Sequence, residues 1–337
     1  MKQAYLIIAL LAVSIALQAQ SEAVSNSVKA VIRRPGTAVN VEKKDYPIGQ
    51  KNEKAEPQQK VVEKKEPVKE EEFPAVVSRV DQNIPTTDVV NDSTFAFIIC
   101  NEKYEAHIDV PYAIHDGEVF AEYCEKTLGL PRNHVNIWRN ATYGNMKKAI
   151  KRIQNLASAF GGEIYVIFYY AGHGAPDDAT KQAYLMPSDA YAVDPELCIS
   201  LSDLYNSLAE MNIRKTTIFL DACFSGATRS NDGRMLASAR GVALRPKKEA
   251  PQGQMVVFSA ATDEQTAMPY VAEGHGLFTY YLLDKLQSTA GDVTLEELGE
   301  YVSGKVLQQS IIDNDKPQQP TVSASDEAID WQSWKLK

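Results

Sequence analysis

The sequence predicts an α/β fold built on a largely parallel sheet with helices on both faces. Three observations carry this. Several short runs, among them FAFIIC (95–100), EIYVIFYYAG (163–172), TTIFLDAC (216–223) and QMVVFSA (254–260), are apolar on both faces and rich in β-branched and aromatic residues, as strands buried on both sides require. Stretches with helical apolar spacing alternate with them, the pattern of crossover-connected parallel strands. Two of the runs also end abruptly in polar boxes, AGHGA and DACFSG. In such sheets ligands gather beyond the carboxyl ends of the strands, so chemistry is expected there.

Taken in order, the chain opens with Lys2, an apolar run from Leu6 to Leu17 and a small, polar exit, QAQSEA. That is the pattern of a cleaved export signal over 1–19, with cleavage after Ala19 or Ala23. The run is too short to serve as a span, which takes about 20 apolar residues, so no membrane span is expected after signal removal, and the protein is expected to be exported, periplasmic or secreted. Within residues 20–92, the stretch 41–74 is dominated by Lys, Glu, Pro and Gln. Such composition cannot bury enough apolar surface to offset chain entropy, and a disordered linker or pro-segment is expected. A folded domain should occupy 93–325, with 326–337 as a tail. Within it, FAFIIC is a strand, PYAIHDGEVFAEYCEKTLGL helical, HVNIW a second strand and NMKKAIKRIQNLASAF an amphipathic helix. EIYVIFYYAG, TTIFLDAC and QMVVFSA are further strands, with SLSDLYNSLAEM as a capped helix between the first two. LFTYYLLDKLQS and TLEELGEYVSGKVLQQ close the domain as helices.

The 337 residues carry a net charge of −9 and are 44% hydrophobic, enough apolar matter for one sizeable core. The acidic balance argues against nucleic acid as a partner, since that function normally leaves a basic footprint. Of four cysteines, Cys100 and Cys124 read as small buried residues, Cys198 is undecided, and no framework spacing suggests disulfides. Cys223 differs because it sits between Asp221 and Ser-Gly just past a buried strand. His173 holds the matching place, between two glycines past another. A nucleophilic cysteine needs a base for its proton and donors for the oxyanion, and neighbouring parallel strands could present the two side by side. His275, in EGHGLF, competes for the base role, but it precedes a helix, a placement that suits capping or packing. His107, His115 and His134 read as ordinary surface or packed residues.

YYAGHGA followed by LDACFSG resembles the caspase–metacaspase group of cysteine peptidases, closest to its bacterial caspase-like members. His173 precedes Cys223 by about 50 positions, as in the caspase signature. Asp221 stands where caspases carry Gln, and Asp-Ala-Cys-x-Ser-Gly is similar to the metacaspase pattern instead. AIHDGEVFAEYCEKTLGL, VVFSAATDEQTA and GHGLFTYYLLDKL extend the resemblance over roughly 93–325. It implies a caspase-like three-layer sandwich with a mostly parallel sheet of about six strands. It also implies a cysteine endopeptidase using a His173/Cys223 dyad, with backbone N–H groups of Gly174 and Cys223 as the oxyanion hole.

The same resemblance pairs Asp116 with Asp221 as the acids that receive a basic side chain. Two carboxylates facing a guanidinium supply bidentate hydrogen bonds as well as charge. Peptide or protein substrates with basic residues, cut after Arg or Lys, are therefore expected. The loop 227–254 is polar and rich in Gly and Pro, and it offers Arg229, Arg234, Arg240 and Arg245 as candidate self-cleavage sites where relatives carry their maturation linker. Metacaspases often need calcium. Asp177 and Asp178 follow the His box, but two adjacent acids do not supply six to eight oxygens. No metal and no other cofactor is assigned. The competing reading is a catalytically idle caspase-like fold serving as a cell-envelope binding module.

Overall fold

The computed structural model describes residues 76–337 apart from 178, 192, 193, 195, 225–227, 230–234, 237–248, 263 and 264. The expected signal peptide, most of the expected linker and most of the 227–254 loop, with Arg234, Arg240 and Arg245, lie outside the described residues. Arg229 is placed by its backbone only.

In chain order the strands are β1 (Thr94–Cys100), β2 (Val135–Arg139), β3 (Tyr165–Ala171), β4 (Gly174–Pro176), β5 (Ala183–Leu185), β6 (Ile199–Ser200) and β7 (Lys215–Asp221). There follow β8 (Thr228–Arg229), β9 (Met235–Leu236), β10 (Met255–Ser259), β11 (Pro269–Tyr270), β12 (His275–Gly276) and β13 (Thr321–Ala324). The helices are α1 (Ala113–Lys126), α2 (Tyr143–Ala159), α3 (Leu201–Glu210), α4 (Leu277–Thr289) and α5 (Leu295–Asn314). One six-stranded sheet, in the order β13-β10-β7-β3-β1-β2, runs through the middle. Five strands are parallel, and β13 pairs antiparallel with β10 at the edge.

The sheet separates two cores, which gives the expected three layers. On one face Ala96, Ile98, Ile167, Tyr169, Phe219 and Val256 meet buried residues of α1, α4 and α5. On the other Phe97, Ile99, Val166, Phe168 and Ile218 meet α2 and α3. The alternation of side chains along a strand sends successive residues to opposite faces, which is why these strands are apolar throughout. Side-chain caps start three helices: Thr142 accepts from Asn145 N, Ser200 from Asp203 N, and Thr294 forms a capping box with Glu297. Each satisfies an N–H that the helix itself leaves without a partner. β13 (TVSA) lacked a sequence signal because it is short and half-buried throughout.

The linker expected over 20–92 ends earlier than its composition suggests. Residues 76–92 are docked on α1 and α4. Val80 and Ser78 are fully buried. The Tyr123 hydroxyl donates to Val80 O at 2.8 Å, Thr127 Oγ1 to Pro85 O at 2.7 Å, and Thr87 N to Lys126 O at 2.9 Å. Arg79 also pairs with Asp284 of α4. Of the segment's apolar residues only Val80 is fully buried and Ile84 packs partly against the core, while Val77, Val89 and Val90 stay exposed, too sparse a pattern to mark a segment as docked.

Burying Val80 contributes roughly 1.5–3 kcal/mol, and each hydrogen bond about 1 kcal/mol. A chain beginning at Val76 should therefore unfold thermally within a degree or two of the full chain. One beginning at Ser93 should melt at least about 5 °C lower, at 2–4 °C per kcal/mol for a domain of this size. Equal melting of the two truncations would show that the docked segment carries no stability.

Candidate functional site

The parallel pairing of β3 with β7 builds the site. Its register sets Tyr169 beside Phe219, Tyr170 beside Leu220 and Ala171 beside Asp221. The contact continues past the strands, where Gly172 N donates to Asp221 O at 3.2 Å. His173 and Cys223 each lie two residues beyond the last aligned pair and so leave the sheet at the same level. The backbone level that the two residues share is thus a consequence of strand register.

His173 is held at three points. Its N–H donates to the Tyr104 hydroxyl at 2.7 Å, and its carbonyl accepts from Tyr170 Oη at 2.7 Å and from Met186 N at 3.0 Å. Its ring lies against the Tyr104 ring, centroids 4.6 Å apart. The imidazole Nε2 is 2.7 Å from the carbonyl oxygen of Ile108. A carbonyl can only accept, so Nε2 carries the proton, and in the neutral ring Nδ1 holds the lone pair. The Ile108 carbonyl, on the loop between β1 and α1, is an orienting group that the sequence did not reveal, since any residue type would provide it.

The glycines around His173 answer to packing. A Cβ on Gly172 would lie 2.6 Å from the Tyr104 hydroxyl and 2.8 Å from that of Tyr170, while one on Gly174 would lie 2.8 Å from Cys223 O and 2.5 Å from the Phe224 ring. The backbones of Gly174 and Cys223 are thus in close contact. Cys223 is only 9% exposed. Its sulfur accepts the Ala267 N–H at 2.8 Å, and the Ala267 carbonyl lies 3.5 Å away, so the segment between β10 and β11 covers the thiol.

The other three cysteines are free thiols in different surroundings. Cys100 and Cys124 are fully buried, and burial pushes the Cys100 thiol up to about 12 and that of Cys124 higher still. Such thiols are inert. Cys198 is also buried, and burial raises its thiol.

Asp116 and Asp221 come together. Asp116, in the first turn of α1, is 2% exposed, and Asp221, the last residue of β7, is 5% exposed. They converge on Gly276: a Cβ there would lie 2.4 Å from Asp221 Oδ2 and 3.0 Å from Asp116 Oδ2. Asp221 Oδ2 accepts from Thr279 Oγ1 at 2.8 Å and Thr279 N at 3.3 Å, and the Tyr169 hydroxyl lies 2.7 Å from Thr279 Oγ1. Asp116 Oδ2 accepts from Gly276 N at 2.9 Å.

His275 and His115 are not the ordinary residues their sequence context suggests. His275 is fully buried. Its Nδ1 is 2.7 Å from Asp116 Oδ1 and its Nε2 is 2.9 Å from Asp81 Oδ1. Burial alone would lower its pKa, but the two carboxylates outweigh this and raise it to about 9. Burial pushes Asp81 up in turn, yet hydrogen bonds from His115 and His275 hold it well below the usual carboxylate range. His115 Nε2 lies 3.1 Å from Asp81 Oδ2. Sequence could not reveal this cluster, because its members lie in three distant segments. Asp177, weighed as an acid for calcium, has one oxygen accepting from Ala179 N, Thr180 N and Thr180 Oγ1, which closes its own turn. Asp178 lies outside the described residues.

Two outcomes follow from this geometry. Gly172→Ala should cost about 1–3 kcal/mol by overpacking and displace His173. Turnover should drop on the order of 100-fold, since misplacement by about 1 Å has that effect. Unchanged turnover would count against a catalytic His173. For His275, a folded pKa above the unfolded value of about 6.5 gives stabilisation that is complete below that value and is lost as pH rises through about 9. With chelator present, urea unfolding should show a loss on the order of 3 kcal/mol between pH 6 and 10. Asp116→Asn should remove most of that slope, and an identical slope in the variant would place its origin elsewhere.

The sequence model of the family described as "Caspase domain" matches residues 93–328. A crystal structure of caspase-1 from Spodoptera frugiperda is 16% identical with a TM-score of 0.49, covering 74% of this chain and 94% of that one. No curated protein matches significantly. With the family match spanning most of the chain, this protein belongs to the caspase-domain family of cysteine peptidases.

Proposed function

We propose that the protein is an exported endopeptidase that cuts after Arg, and less well after Lys, using Cys223 as nucleophile and His173 as its acid and base. The observation that carries this is the β3–β7 register, which brings His173 and Cys223 to one level, together with the Ile108 carbonyl 2.7 Å from His173 Nε2. His173 Nδ1 takes the proton of the Cys223 thiol, and the sulfur attacks the peptide carbonyl carbon, forming a C–S bond as the C=O pair moves onto oxygen. Backbone N–H groups at Gly174 and Cys223 hold the resulting oxyanion. The C–N bond then breaks as His173 donates a proton to the leaving amine. Water, giving its proton to His173, attacks the thioester and releases the acid and the thiol.

Charge at the far side of the site supports a basic specificity. Asp81 and Asp116 flank one buried imidazolium, and Asp221 adds a third carboxylate across Gly276 from Asp116, a negative excess that suits a guanidinium. Such a side chain would take over hydrogen bonds that Asp221 now makes with Thr279. Self-cleavage within 227–254 would follow from the same preference, at Arg229, Arg234, Arg240 or Arg245. Export rests on the N-terminal apolar run. Among the described residues, no helix is long and apolar enough to cross a membrane.

Matched fluorogenic peptides ending in Arg, Lys or Asp provide the test. Cleavage should follow Arg, and Cys223→Ala should abolish it while leaving the circular dichroism spectrum unchanged. Asp221→Asn should lower kcat/KM for Arg peptides about 10- to 100-fold, the worth of a charged hydrogen bond of 1.5–3 kcal/mol. Cleavage after Asp would overturn the specificity. A folded protein that cuts none of the peptides, with Cys223 unreactive toward a thiol probe, would favour the idle binding module.

A further inference from the structure

Asp81, His115 and His275 bring three metal-binding side chains to one point. The carboxylate of Asp81 receives one imidazole nitrogen on each oxygen, His275 Nε2 at 2.9 Å and His115 Nε2 at 3.1 Å. All three ligand atoms lie within 4.8 Å of one another, and the two imidazole rings are 4.7 Å apart, tilted by 31°. Zinc bound at about 2.0–2.2 Å in tetrahedral geometry sets its ligands roughly 3.3–3.6 Å apart. The cluster can reach that spacing by small side-chain movements.

The surroundings match the second requirement of such a site. A ligating histidine usually donates its other N–H to a carboxylate, which fixes its tautomer and orientation. Asp116 Oδ1 lies 2.7 Å from His275 Nδ1, and Asp116 is itself held by Gly276 N. Nε2 of His275 is thereby aimed at Asp81. Access is graded too: the His275 side chain is fully buried, that of Asp81 is 17% exposed, and that of His115 is 39% exposed. An ion could enter past His115 and reach Asp81 and the buried His275.

We propose that Asp81, His115 and His275 form a zinc-binding site, with Asp116 as its outer partner and a fourth position left to water. Two imidazoles with one carboxylate suit zinc over calcium or magnesium, which take oxygen ligands. The ion replaces the protons now shared across the cluster: His275 releases its Nε2 proton to solvent and keeps the one on Nδ1 toward Asp116, and His115 gives up its Nε2 proton and binds through Nε2 with its remaining proton on Nδ1. Asp81 belongs to the docked stretch 76–92 and lies outside the residues that the family model matches. Zinc would therefore fasten that stretch to α1 and β12, beside the acids at Gly276. Binding does not depend on the peptidase reading, because no ligand belongs to the dyad.

The test uses the full chain carrying Cys223→Ala, so that the thiol cannot act as a ligand, stripped with chelator and then dialysed against zinc or cobalt. It should retain one zinc per chain, melt at higher temperature with zinc than without, and give visible cobalt bands. His115→Ala, checked by circular dichroism, should abolish retention, and Asp116→Asn should weaken it about 10- to 100-fold. X-ray absorption of the zinc form should show two imidazoles and no sulfur. Failure of the Cys223→Ala chain to retain zinc, retention unaffected by His115→Ala, or a first shell without imidazole would each overturn the proposal.

Discussion

The parallel pairing of β3 with β7 is the constraint on which the rest of the structure depends. A strand's side chains alternate, so a slip of one residue would exchange both faces and carry His173 out of level with Cys223. Apolar faces on both sides would resist such a slip only weakly. Two adjacent tyrosines resist it strongly. Tyr169 sends its hydroxyl to Thr279 on the α4 face, and Tyr170 sends its own to the carbonyls of His173 and Met186 on the other. Each phenol would lose its partner after a slip, leaving a buried polar group unsatisfied at a cost of about 1–3 kcal/mol. The residues that hold the register therefore also hold His173.

The second organising element is a buried group of charges around Gly276. Carboxylates are costly to bury unless paired and hydrogen-bonded. Here each has partners: Asp116 with His275 and Gly276 N, Asp221 with Thr279, and Asp81 with two histidines. The same contacts tie together elements remote in the chain. Asp81 comes from the docked N-terminal stretch, Asp116 and His115 from α1, Asp221 from β7 and His275 from β12. Losing one member would strand the charge of another, so the cluster links the N-terminal stretch, the candidate specificity acids and α4 into one electrostatic unit.

The thiol environments separate the cysteines by the same physics. Cys100 and Cys124 lie in apolar packing where a thiolate has nothing to stabilise it, and burial drives their acidity down. Cys223 sits past a strand end with a backbone N–H on its sulfur. Strand-end placement, visible in sequence, already set it apart. The covering of the sulfur by Ala267 was not visible, because alanine contributes through its backbone.

The sequence by itself determined the layer architecture, the five parallel strands, and the placement of His173 and Cys223 just past the ends of two of them. These are properties of local pattern, and apolar runs of strand length with glycine-flanked boxes at their ends can be read one segment at a time. It also singled out Asp116 and Asp221, through resemblance. Only the tertiary structure decided that these acids are buried and converge on Gly276, and that His275 and His115 join them. The same holds for the orienting Ile108 carbonyl, the docking of residues 76–92 and the antiparallel edge strand β13. Backbone groups carry no residue-type signal, and a cluster drawn from distant segments has no spacing to recognise. Such features exist only once the sheet has brought their carriers together.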